Sequence, residues 1–147
     1  MLGPLAFEPE QSVTRKPDWQ ALLDAFLAEH QFDAFQYGCW DCCLFVCDAV
    51  LVMTGVDPAA AYRGTYSSRA QSRRHGSVQA NVEAVCAKHG MQEVPVPFAR
   101  RGDVVLVRRR RSCSLGLVAL NGREIVLTSS AGLWRLPLGS AVRAWHV

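Results

Sequence analysis

Tyr37 to Cys47 reads YGCWDCCLFVC, and the way this stretch folds decides the reading of the whole chain. Asp41 is a good helix N-cap, the residues after it are apolar as far as Thr54, and Gly55 supplies a stop. The pattern predicts a helix over 41–54 that is apolar almost all round, and therefore central and buried. Four of the six cysteines, Cys39, Cys42, Cys43 and Cys47, crowd into this stretch. Such a cluster could hold a metal, form disulfides, attack a substrate or simply pack.

Upstream, Trp19, Leu22, Leu23, Phe26 and Leu27 share one face of an amphipathic helix that begins after Pro17 and ends near His30. Residues 1–16 read as an extended N-terminal arm, held by Leu5 and Phe7, and 17–147 as a single domain. Downstream, a short helical segment is expected over Asp57 to Tyr62, then a loop with a polar helix in RGTYSSRAQSRRHG. A further helix follows over Val78 to His89, with Val82, Val85 and Cys86 inward. After VPVPF the period changes to that of strands: GDVVLVR, LGLVAL, REIVLTS, GLWRLPL and AVRAWHV are separated by Gly, Asn-Gly and Ser turns. Helices first and a meander afterwards predict an α+β domain, with a small curled antiparallel sheet packed on helices.

The chain has 147 residues, 50% of them hydrophobic and 20% charged, enough for one core that buries roughly 70% of the unfolded surface. The longest apolar run, Leu44 to Met53, is interrupted by Asp48 and is short of the ~20 residues that cross a bilayer, so no membrane partner is expected. The N-terminus lacks the pattern of a signal peptide, which predicts a cytoplasm and reduced cysteines. A net charge of +3 does not call for a specific nucleic-acid partner. Arginines cluster at Arg73–Arg74, Arg100–Arg101 and Arg108–Arg111; the last run reads as a solvated hairpin tip or as an electrostatic contact for an acidic partner or passing DNA.

A metal site has the Cys39–Cys42 spacing in its favour, but the remaining cysteines, Cys86 and Cys113, are single. Cys42 and Cys43, if both helical, point about 100° apart. No metal or other cofactor is expected. Cys43 and Cys47, four apart, suit the core face of the helix. Cys42 differs, because at the first helical turn the unpaired N–H groups and the helix dipole stabilise a thiolate.

In this region YGCWDCCLFVCDAV resembles the D-C-x-x-F helix start of NlpC-type cell-wall peptidases, which are papain-like cysteine peptidases acting on peptidoglycan stem peptides. RRGDVVLV resembles that family's G-D-hydrophobic strand, and SLGLVALNG its strand beginning H-V-G-I. Within that superfamily the closer resemblance is to a branch encoded by tailed phages and prophages. That likeness rests on Trp19, the W/Y-G-x-x-D-C motif over Tyr37 to Cys42, the segment TGVDPAAAYRGTY and the terminal Ala144–Trp145 pair. It covers nearly everything after residue 15.

The resemblance implies a papain-like NlpC-type fold, Cys42 at the nucleophile position, and a place in the virion tail tip or baseplate beside hub proteins, with the host cytoplasm as the site of assembly. It also exposes a departure. The general-base histidine falls on Ser114 and the orienting residue near Val126, and neither can do that work. His30, His75 and His89 lie at element ends, where solvent exposure or carbonyl capping is expected. His146 sits beside an inward Trp145, so strand alternation turns it away.

Two functions stand open. One is a structural tail-tip subunit, a pseudoenzyme on a peptidase fold. The other is an active peptidoglycan endopeptidase working during DNA entry through an unrecognised base. The first is favoured because two of three catalytic parts are replaced; a cytosolic assembly factor is a third possibility.

Overall fold

A computed structural model describes residues 12–147. The helices are α1 (Trp19–Glu29), α2 (Cys42–Thr54), α3 (Arg69–Ser72) and α4 (Val78–Lys88). The strands are β1 (Glu93–Val94), β2 (Val104–Arg108), β3 (Cys113–Val118), β4 (Glu124–Ser129), β5 (Gly132–Pro137) and β6 (Ala141–Trp145). They form one antiparallel sheet in the order β1-β6-β2-β3-β4-β5, so the domain is α+β.

Helix α2 begins and ends as its sequence dictates. The Asp41 carboxylate accepts the Leu44 N–H at 2.9 Å, and Gly55 closes the helix in the left-handed region at φ 81°. Its buried residues, Phe45, Val46, Ala49, Val50 and Met53, meet Leu23 and Phe26 of α1 on one side and Leu115 and Leu117 of β3 on the other. The sheet's second face has its own smaller core of Val105, Val107, Val118, Ile125 and Leu127, closed by Val96, Leu136 and Leu138. Because β2 alternates between two cores, it is buried on both sides and reads as an unbroken apolar run.

Three expectations need correction. Asp57 to Tyr62 is a set of turns rather than a helix: the Asp57 carboxylate caps the Ala59 N–H at 2.9 Å and binds Arg63, which draws the chain out of helical register. Strand β1 was not anticipated, since two residues carry no periodicity; it is defined by pairing with Ala144 and Trp145. His89 is buried rather than solvent-exposed, at the C-terminus of α4. Leu5 and Phe7, expected to hold the arm, lie outside the described residues; among those described, the chain is tied to the domain at 13–16. There the Val13 N–H bonds the His89 carbonyl, the Lys16 N–H bonds the Met53 carbonyl, and Arg15 reaches the buried Asp103 at 2.7 Å.

No helix among the described residues is long and apolar enough to cross a membrane.

Candidate functional site

The loop before α2 is shaped by two residues. Gly38 has φ 81°, and a Cβ there would lie 2.1 Å from the Tyr66 carbonyl oxygen, so only glycine lets the two segments touch. Asp41, 4% exposed, gathers three donors: one oxygen takes the Leu44 N–H, and the other takes the Gly38 N–H at 3.0 Å and the Tyr66 hydroxyl at 2.5 Å. Burial, and then the bond to Asp41, push the Tyr66 hydroxyl well above its usual range.

This cap places Cys42 in the first turn of α2, half-buried, with its sulfur against β3. Its thiol is held below the ordinary value because the Cys43 thiol donates to its sulfur. The Leu115 N–H adds to this, while burial and the Asp41 carboxylate oppose it. Cys43 is correspondingly pushed far up, first by that bond and then by burial. The pair therefore divides its roles: the negative charge belongs on Cys42, and Cys43 keeps its proton.

Cys42 opens onto a cavity of about 770 Å³ between α2, α4, the 62–77 segment and the start of β3. Five of the six cysteines line it, namely Cys42, Cys43, Cys47, Cys86 and Cys113; Cys39 is exposed and lies apart. Cys43 and Cys47 thus line the cavity wall rather than only filling the core, and burial pushes Cys47 and Cys86 up to about 12. Among the described residues no group of three or more His, Cys, Asp or Glu side chains is arranged to hold a metal.

Ser114 lines the cavity too, immediately before the Leu115 N–H that touches Cys42. Val126 is packed in the main core opposite Leu117 and offers no polar group. His30 stacks on Trp40 at 4.6 Å and bonds Asp33. His146 is turned away from Cys42 by Trp145, as alternation requires, and its Nδ1 meets Asp103 at 2.5 Å.

His75 departs from expectation. It sits in a 3₁₀ turn (Arg73–His75), half-buried, and lines the Cys42 cavity. Its ring packs edge-on against Tyr62 and Tyr66 at 5.2 and 5.8 Å. The Thr65 hydroxyl donates to the Tyr62 carbonyl at 2.6 Å, so at 2.8 Å from His75 Nε2 it accepts. With the hydroxyl proton on the Tyr62 carbonyl, the pairing favours the tautomer that carries its proton on Nε2. His75 makes no hydrogen bond to Cys42. Sequence reasoning missed this arrangement because Thr65, Tyr62 and Tyr66 reach His75 through space; the GTY within RGTYSS, which supplies Thr65 and Tyr66, was the available signal.

A family model described as a domain of unknown function, DUF6950, matches residues 14–147. The chain belongs to this family. Its match begins within the 13–16 anchor, so the DUF6950 unit includes Arg15, which ties the first described residues to Asp103. No curated protein matches the chain.

Proposed function

We propose that the chain is a structural subunit of a phage or prophage tail tip, built on a papain-like NlpC-type framework that keeps the nucleophile position and has given up the catalytic imidazole. The observation that supports this most directly is the surroundings of Cys42. The sulfur sits at a capped helix start against the first residues of β3, and the β3 position expected to bring the base is Ser114. A serine cannot take a thiol's proton near neutral pH, so the cavity beside Cys42 lacks a base on β3. Partners are then neighbouring tail-tip or hub proteins.

A second reading, an active peptidoglycan endopeptidase, draws support from His75, an imidazole with a favoured tautomer on the same cavity wall. Purified protein incubated with peptidoglycan decides between the two. The expected result is no new stem-peptide termini. Release that disappears in both Cys42→Ala and His75→Ala variants establishes the hydrolase instead.

A further inference from the structure

Three arginines face the Cys42 cavity from three separate places: Arg69 on α3, Arg73 in the following 3₁₀ turn, and Arg111 in the β2–β3 turn. None makes a side-chain hydrogen bond or an ion pair among the described residues. Arg15, Arg63, Arg135 and Arg143, by contrast, each have a carboxylate partner. Among the described residues Asp41 is the one acidic side chain lining the cavity, and its oxygens are already committed to Leu44, Gly38 and Tyr66. Three uncompensated cations therefore converge on one concave surface, whose floor is apolar through Val82, Val85 and Leu115.

We propose that this cavity receives an extended acidic segment of a neighbouring protein, with carboxylates on Arg69, Arg73 and Arg111 and aliphatic side chains on the floor. Arginine's forked donors suit carboxylates, and the potential at the mouth favours an anionic chain. A nucleic acid would satisfy the arginines but bring nothing aliphatic for the floor. The volume lies within the range of sites that enclose a ligand. The proposal deepens the tail-tip reading by naming the partner's chemistry, and rests on that reading for where the partner sits.

The test is an anisotropy titration of the purified chain with a labelled peptide of about ten residues alternating Asp/Glu with Val/Leu, beside a Lys-substituted control. The acidic peptide should bind and the basic one should not. The R69S/R73S/R111S variant should bind roughly tenfold more weakly or worse. R108S/R110S/R123S, which removes the same charge from exposed positions off the cavity, should bind like the parent. Alkylating Cys42 should block binding. Failure of the acidic peptide to bind, equal losses in the two triple variants, or a soluble stem peptide binding more tightly than the acidic one each overturns the proposal. Melting curves verify that the variants fold. No particle is involved, so failure here leaves the tail-tip reading to its own test.

Discussion

At the scale of single residues, the adjacent thiols are unequal. Cys43 donates and Cys42 accepts, so iodoacetamide near neutral pH should label Cys42 ahead of the other cavity cysteines, as read by peptide mass mapping. Cys43→Ala removes the donor and should slow that labelling several-fold; unchanged kinetics would mean that the helix start alone sets the reactivity. Cys42 was legible in the sequence because its setting is local: a cap, a first turn and an apolar run. Tyr66 and His75 were not legible, because Tyr66 bonds Asp41 across 25 residues and His75 is positioned by Thr65 from 10 residues away.

At the scale of elements, α2 depends on its cap more than an exposed helix would. Asp41→Ala leaves the Leu44 and Gly38 N–H groups and the Tyr66 hydroxyl without their acceptor, so the expected loss is about 2–4 kcal/mol in urea unfolding, above the ~1 kcal/mol of a typical cap. A loss under 1 kcal/mol would show that Asp41 is not the joint between these segments. The arginine hairpin divides. Arg109 lies over Trp134 at 5.3 Å, and Arg108, Arg110 and Arg111 are exposed, Arg111 alone of the four lining the cavity. Replacing Arg108 to Arg111 by serine should leave the chain folded and reduce its incorporation into tails. Restoring Arg111 alone should recover more incorporation than restoring Arg108. The five longer strands were legible as short apolar runs between turn residues. The 57–62 turns were not, because a helical composition there is overruled by the Asp57 cap and its pairing with Arg63.

At the scale of the molecule, Asp103 joins the two ends of the described chain. Fully buried, it takes Arg15, His146 Nδ1, and the N–H groups of Arg100 and Val147. Asp103→Ala leaves the partly buried Arg15 guanidinium with the Arg101 and Val147 carbonyls but no carboxylate, and should cost about 3–5 kcal/mol, read by urea unfolding. The buried thiols add a pH signature. Cys47 and Cys86 have folded values raised from 9.0 to about 12, so their contribution is fully present below pH 9.0 and is lost as pH rises toward 12. Each should lower stability by up to about 1.4 kcal/mol per pH unit across that window. The Cys47→Ala/Cys86→Ala variant should flatten the decline.

The tail-tip proposal is tested most directly by a density map of a tailed-phage particle assembled in the presence of this chain. The chain should appear at the tail tip, bound to a neighbouring subunit, with an acidic segment seated over Cys42 between Arg69, Arg73 and Arg111. Absence of the chain from the finished particle would contradict it.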